Sequence, residues 1–402
     1  MRNLRVSLFL AARSLARSNY GIAVTTTLMM LLIYMSLLFL PSLIQGAINR
    51  VNAQLVDTLT SDIVITPAGQ AATIDNAGSY LARIRGTAGV QAATDVYHAG
   101  TQVSYGSRSG SWAVDAIDPV SYRQVFTTLG NVVEGRALTP QDTGQVLLGI
   151  GIAGAGETNV RGYRASLQTV HAGARVAITL TDGRSVTFTV AGIYDNQFPQ
   201  SDASAYLTMN EAGNLLPASR DRATAIYVRT RSGVSVSQEV RRLTALRSGL
   251  NFQTSADLSA AVQDQTATFR LISNILKIVS LLMAAITIFT ITYIDLVNKR
   301  RQIGIERAIG IKSSPIVFSY VLKAWAYALV GVGTGVVLFR YAVTPLVARH
   351  PFHFPNGPVT LATTWNEMAR DLVILIIVAT LAALAPAVRS VRIRILDAIW
   401  GT

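Results

Sequence analysis

Four long stretches of the chain carry no charged side chain: residues 18–49, 278–294, 324–339 and 372–388. A bilayer core about 30 Å thick takes roughly 20 apolar residues in a helix, and each of the three shorter runs reaches that length with its flanking turns. The pattern predicts transmembrane helices at 18–48, 271–297, 315–343 and 371–389. Between the first and the second its character changes to short β-rich runs separated by turn residues. Asp62-Ile63-Val64-Ile65-Thr66 is followed by Pro67-Ala68-Gly69, and Arg175–Leu180 by Thr181-Asp182-Gly183. Val186–Ile193 then alternates as a returning strand should, so the Asp-Gly step reads as a hairpin turn. Helical spacing or composition marks Ile74–Ile84, Asn210–Leu216 and Ser235–Arg247, and residues 250–270 read as a polar helical stem. The fold class is a four-helix membrane protein with a large α+β extracytoplasmic domain, residues 49–270, inserted between helices 1 and 2. A length of that order favours two subdomains.

The composition agrees: 50% of the 402 residues are hydrophobic and 14% charged, against about 25% charged in soluble proteins. The absence of cysteine excludes disulfides and thiol chemistry. A net charge of +13 would suggest nucleic acid, but residues 49–270 hold 18 Arg against 17 acids, so the excess flanks the membrane. Arg2, Arg5, Arg13 and Arg17 precede helix 1. Lys299, Arg300, Arg301, Arg307 and Lys312 face Glu306 alone in the loop 298–314, and Arg389, Arg392 and Arg394 face Asp397 near the C-terminal tail, 390–402. By the positive-inside rule both termini and the 298–314 loop are cytoplasmic, and the inserted domain and the loop 344–370 lie outside. A cleaved signal peptide is the competing account, but its apolar region runs only about 7–15 residues. Residues 1–17 place Leu4, Leu8, Ala11 and Leu15 on one stripe, an amphipathic helix suited to the inner membrane surface.

Catalytic chemistry is sparse. The histidines are His98, His171, His350 and His353, with no His-Glu-x-x-His pattern. His350-Pro351-Phe352-His353 could touch a metal or haem, but such a loop is more often structural, and no metal site is expected. No Gly-x-Ser-x-Gly elbow occurs. Gly310-Ile311-Lys312-Ser313 lacks the glycine before lysine and the preceding strand of a phosphate cradle. The chain is therefore not expected to hydrolyse ATP alone.

The most informative stretch is Asn298–Lys312, directly after helix 2. Its Ile303, Ala308 and Ile311 alternate with charges, and Gly310 with Pro315 closes the segment. Such an element can take force from a cytoplasmic partner or serve only as a basic anchor. Here the chain resembles the FtsX/MacB/LolC family of ABC transporter permeases. That family's loop commonly reads Arg-Arg-x-Glu-Ile-Gly-Ile-x-(Lys/Arg)-Ala-(Leu/Ile)-Gly, against Arg301-Gln302-Ile303-Gly304-Ile305-Glu306-Arg307-Ala308-Ile309-Gly310. The resemblance extends to Ala12–Ser18 before the membrane. In the inserted domain it takes in Glu134-Gly135-Arg136-Ala137-Leu138 with Gln145-Val146-Leu147-Leu148-Gly149, and Phe188–Ile193.

The chain departs from the pattern at Gln302, where an acid is usual, and at Lys323, where a Glu is common. An ionisable residue at that depth must snorkel or pair. Asp295 is a partner for Lys323, and snorkelling to the inner headgroups is the equal alternative. Gly331 and Gly335 have Gly-x-x-x-Gly spacing, which permits close packing within one subunit or between two.

The resemblance implies a bacterial inner-membrane permease subunit that relays the motion of a separate ATPase to its outer domain, for export or extraction of a substrate. It implies a coupling loop at Arg300, Arg301, Gln302, Ile303, Gly304, Glu306, Arg307, Ala308 and Gly310. ATP and Mg²⁺ belong on the partner, with no cofactor on this chain. The implied partners are a cytoplasmic ABC ATPase, a second permease copy or paralogue, a periplasmic adaptor and membrane lipids, with no nucleic acid. The alternative reading is a membrane-anchored extracytoplasmic enzyme or sensor.

Overall fold

The computed structural model describes residues 7–13, 20–155, 163–180, 182–247, 249–354 and 357–391. Arg2, Arg5, Arg17, Arg392, Arg394 and Asp397 lie outside the described residues, as do Leu4 and Leu15. Residues 7–13 are helical, with Ala11 buried and Leu8 exposed. The chain divides into two compact units, one of residues 1–48, 266–352 and 359–402, the other of residues 49–265 and 353–358.

Helix α1 (Tyr20–Leu55) is longer than the uncharged run, because Arg50 ends the run without breaking the helix. In the second unit its last turns are fastened to the inserted domain. Gln54 Nε2 donates to the carbonyls of Asn196 and Gln197 at 3.1 and 3.2 Å. Arg229 Nη2 reaches Asp57 Oδ1 at 3.0 Å and the Val125 carbonyl at 2.8 Å.

The domain is built on one ten-stranded sheet. Its strands are β1 (Ile63–Pro67), β2 (Val90–Tyr105), β3 (Arg108–Ile117), β4 (Val132–Gly135), β5 (Gln145–Gly149), β6 (Arg175–Thr179), β7 (Ser185–Tyr194), β8 (Ser204–Thr208), β9 (Ala225–Thr230) and β10 (Leu250–Thr254). Their order is β10-β1-β9-β2-β3-β8-β5-β7-β4, with β6 against β2 and β7. The pairs β3·β8 and β5·β7 are parallel and the others antiparallel. The Asp182-Gly183 step does turn a hairpin, from β6 to β7, with Gly183 at φ +84°.

Two apolar cores sit along this sheet. One gathers Phe188, Val190, Leu148 and Ile178. The other packs β1 and β9 against α2 (Ala77–Arg85) and α3 (Val236–Leu246) through Ile63, Tyr80, Ile84 and Leu243. Between them Tyr122, Phe126, Tyr194 and Tyr206 form a third, aromatic cluster, with Tyr122 and Phe126 ring centroids 4.7 Å apart. The 16-residue β2 contributes to all three, so the two-subdomain expectation becomes one continuous sheet with serial cores.

The polar stem begins later than its sequence suggests. Residues 250–254 form β10, whose register with β1 runs from Leu250↔Pro67 to Thr254↔Ile63, and only then does α4 (Ser255–Asn298) start. A short α5 (Arg300–Ala308), then α6 (Ser313–Leu338) and finally α7 (Trp365–Val391) complete the first unit. Among the described residues, four helices are long and apolar enough to cross a membrane: Ala23–Thr60, Arg270–Asn298, Ser313–Arg349 and Trp365–Val391. Leu28, Ile286, Val330 and Leu381 are more than half exposed on them, as side chains facing lipid would be.

The loop at 344–370 is shorter than the charge pattern suggests. Helical turns continue to Arg349, and α7 starts at Trp365 rather than at 371. Thr364 and Glu367 form a capping box there: Thr364 N donates to Glu367 Oε2 at 2.9 Å, and Glu367 N to Thr364 Oγ1 at 3.3 Å.

Candidate functional site

The loop after α4 folds as α5, and its sequence shows why. Ile303 and Gly304 are buried, Ile303 against Leu296, Ile316, Tyr320, Ala387 and Val391. Gly310 ends the element in a left-handed conformation at φ +94°. Its N–H bonds the Arg307 carbonyl, and the Ile311 N–H bonds the Glu306 carbonyl, both at 3.1 Å. These are the two bonds of a Schellman stop, which needs glycine at that position. Ile305 and Ile309 point outward, 49% and 73% exposed, next to the exposed Arg301. Gln302 Nε2 donates to Glu306 Oε1 at 3.0 Å along the same helix. The loop residues named from sequence thus divide into a buried anchor, Ile303 and Gly304, and an outer face. Sequence reasoning left Ile305 and Ile309 out of the site, although Arg301, Ile305 and Ile309 follow one another at intervals of four, which places all three on one face.

Just behind α5 the structure brings Asp295 and Lys323 together. Lys323 Nζ donates to Asp295 Oδ2 at 2.8 Å, with the side chains 7% and 15% exposed. Lys299 Nζ stands 3.5 Å from Asp295 Oδ1. Tyr320, Tyr327, Thr26 and Thr292 help line the small cavity of about 20 Å³ at the pair. The ion pair joins the last turn of α4 to the third turn of α6.

Gly331 and Gly335 pack against α1 of the same chain. A Cβ on Gly331 would come within 2.6 Å of Met30 Cβ, and one on Gly335 within 3.0 Å of Tyr34 Cδ1, while Gly333 meets nothing within 4 Å. Among the described residues no group of three or more His, Asp or Glu could hold a metal ion. His98 Nδ1 lies 2.6 Å from Asp115 Oδ1, and Nε2 3.0 Å from the Tyr227 hydroxyl. His98 and Asp115 are direct partners in the β2·β3 register, so the pair ties the sheet together. Burial disfavours the imidazolium, but the Asp115 carboxylate prevails and holds His98 above its ordinary pKa.

Residues 23–246 match the family model of the MacB-like periplasmic core domain, and residues 274–395 that of the FtsX-like permease C-terminal region. The chain belongs to the FtsX/MacB-type family of ABC transporter permeases. As such a permease it is a multi-pass inner-membrane protein, and its inserted domain is periplasmic.

Three macrolide export ATP-binding/permease proteins named MacB illustrate the likeness. That of Hahella chejuensis is 30% identical over 125 residues, 30% of this chain and 19% of its own length. MacB 2 of Aeromonas hydrophila is 28% identical over 129 residues, 30% and 20%. That of Escherichia coli K12 is 28% identical over 120 residues, 28% and 18%. The alignments thus span about a fifth of the curated relatives. Among solved structures, the periplasmic region of MacB from Actinobacillus actinomycetemcomitans aligns at 12% identity and TM-score 0.37, covering 52% of this chain and 95% of that one. The extracellular domain of the ABC-type transporter YknZ from Gram-positive bacteria aligns at 13% and 0.36, covering 48% and 100%.

In the FtsX/MacB-type periplasmic domain, the Glu-Gly-Arg stretch has a clear physical task. Gly135 sits at φ +73°, where a Cβ would run into the Ala191 carbonyl. That sharp exit aims Arg136 back, so that Nη1 and Nη2 each meet an oxygen of Asp142 at 2.7 Å, and Nη2 also meets Gln145 Oε1 at 2.8 Å. Gln145 opens β5, and a Cβ on its last residue, Gly149, would strike the Asp202 carbonyl. Glu134 Oε2 takes His171 at 3.0 Å and Oε1 the Ala172 N–H at 2.9 Å, bonds that hold its carboxyl below the usual range.

Proposed function

We propose that this permease works with a separate ABC ATPase subunit that carries ATP and Mg²⁺ and pushes on α5 from the cytoplasm. The push travels along α1 and α4 to the periplasmic core domain, which works a substrate outside the membrane by export or extraction. The observation that carries this reading is the build of α5. It is fixed by its buried Ile303 and stopped by Gly310, and the Asp295–Lys323 pair backs it, while Arg301, Ile305 and Ile309 are presented outward. A loop that only anchored the topology would need its positive charge but no ordered apolar face. The lysines and arginines around it support a cytoplasmic location, with both termini on that side. The fastening of the last α1 turns to the domain through Gln54 and Arg229 supports a stiff connection. Gly331 and Gly335 serve packing within the subunit, so a second permease copy rests on the family likeness alone.

The full chain co-expressed with an ABC ATPase should co-purify with it and hydrolyse ATP. Arg301→Glu combined with Ile309→Asp should abolish both, while the permease itself still folds and inserts. Equal recovery of the ATPase with the double variant would place the contact elsewhere. A macrolide, the cargo in the names of the curated relatives, is the first compound to add to the assembled complex.

A further inference from the structure

The periplasmic end of the membrane unit, where α1 and α4 lead into the inserted domain, holds a cavity of about 210 Å³. A single water needs roughly 10–15 Å³ on the same measure. One wall is apolar: Leu37, Pro41, Ile44 and Ile48 of α1 share a face at helical spacing. Across from them stand Arg270 and Lys277 of α4 and Arg370 and Asp371 of α7. The strap at 360–364 closes one side. Ala362 N donates to the Ser42 carbonyl at 3.0 Å, and a Cβ on Gly46 would run into the Thr360 carbonyl, so the strap lies backbone to backbone on α1.

The charges around this space do not cancel. Three cations meet two carboxylates, Glu367 and Asp371. Glu367 is engaged in the capping box of α7. Asp371, 5% exposed, is shared: it lies 3.2 Å from Lys277 Nζ and 3.8 Å from Arg370 Nε. Arg270 forms no ion pair among the described residues. It is also the first residue of the second membrane span, which puts a surplus guanidinium at headgroup depth beside an apolar wall.

A guanidinium fork matches the oxygens of a phosphate in geometry and charge. A free anion would satisfy the arginines but leave the α1 wall wet. An acyl chain attached to the phosphate covers that wall and gains by leaving water. We propose that this cavity binds one anionic phospholipid, its phosphate between Arg270 and Arg370 and its acyl chain along the partly exposed Pro41 and Ile44. The lipid supplies the negative charge that Asp371 and Glu367 leave short, and it wedges α1 apart from α4 and α7 at their periplasmic end.

The test uses the full chain in nanodiscs of phosphatidylcholine doped with phosphatidylglycerol, followed by native mass spectrometry of the lipid retained after transfer to detergent. The wild type should keep one phosphatidylglycerol in preference to phosphatidylcholine. Arg270→Gln, which removes no ion pair of the fold, should lower that preference about fivefold, the weight of one cation at an anionic lipid. Arg340→Gln, an exposed arginine outside the cavity, should leave it unchanged. Equal retention of the two lipids overturns the proposal, as does an equal loss in Arg340→Gln, which would mark lipid around the whole bundle. Excess inorganic phosphate should not displace the lipid. If it does, the cavity is a site for the free anion.

Discussion

Lys277 and Asp371 meet at the periplasmic end of the membrane unit, Asp295 and Lys323 at the opposite end, eighteen residues further along α4. That separation is a rise of about 27 Å, close to the roughly 30 Å of a hydrocarbon core, so each pair marks one edge of the membrane. The chemistry is the same and the surroundings differ. Asp295–Lys323 lies against a void of about 20 Å³, with Tyr320 and Tyr327 beside it. Lys277–Asp371 opens on about 210 Å³ and has two further arginines at its rim. One edge is a fastening between α4 and α6 behind α5. The other is a port with charge to spare. An ion pair between membrane helices therefore has no fixed meaning until the space and the surplus charge around it are known.

The largest effect should come from breaking the closed pair. Asp295→Asn strands Lys323, which is 7% exposed, and also removes the carboxylate that Lys299 reaches. A loss of about 3–5 kcal/mol is expected for an uncompensated buried charge, read as a fall in the thermal midpoint of the full chain in detergent. The reversed pair, Asp295→Lys with Lys323→Asp, should recover most of it, and no recovery would sink the fastening. At the open end, Asp371→Asn should lower stability by only about 1–2 kcal/mol, because water can enter and solvate Lys277, 22% exposed. Equal losses at the two ends would remove the distinction between them.

The closed edge was the more legible in sequence. Lys323 stands out because it interrupts the otherwise uncharged stretch 313–339, and a lone charge there demands a partner, for which Asp295 at the inner end of the second run is at hand. Lys277, Arg370 and Asp371 mark only where runs begin, so they read as boundaries and not as a site. The same bias set α7 to start at 371: counting charges hid the Thr364–Glu367 capping box, a signal that was present. The strands at Asp62–Thr66 and Val186–Ile193 were visible through alternation and turn residues, whereas β10 was absorbed into a helical stem. Its Leu250-Asn251-Phe252-Gln253-Thr254 does alternate, with Leu250 and Phe252 packed on the core beside β1, so this signal was present and was passed over for the polar composition of the stretch. Ile305 and Ile309 were missed for a different reason. Apolar residues in a loop read as membrane-facing until the burial of Ile303 shows which side of α5 is already taken.

A smaller effect sharpens the contrast at the α5 end. Gly310 holds φ +94° with open space around it, so Gly310→Ala meets no clash and pays only the left-handed backbone conformation, about 1–2 kcal/mol. Because the strain falls on the Schellman stop, α5 should fray before the bundle loosens. Amide hydrogen exchange should quicken at Ile309–Ile311 while Asp295 and its neighbours stay protected. Exchange that quickens equally along α4 would mean that α5 and the Asp295–Lys323 fastening are one cooperative unit.

The smallest effect concerns an ion pair in water, the reference against which both membrane pairs are judged. Arg136 holds Asp142 through two bonds of 2.7 Å, and together with the Thr139 N–H it brings the Asp142 carboxyl down to about 2 from an ordinary 3.8. A carboxyl whose pKa is depressed by folding contributes stability that is fully present above its unfolded value and lost as pH falls through its folded value. The window is therefore from about pH 4 down to about pH 2. Arg136 is half exposed, so solvent screens the pair and its contribution should be about 0.2–1 kcal/mol. Arg136→Lys keeps the charge but loses the fork, and should lower stability by most of that amount at neutral pH, the difference from the wild type vanishing as pH falls to about 2, measured by denaturant unfolding of the full chain at each pH. If Arg136→Lys instead destabilises the protein equally at all pH values, the arginine acts through its reach to Gln145 and the start of β5, and Gly135 aims it for that contact.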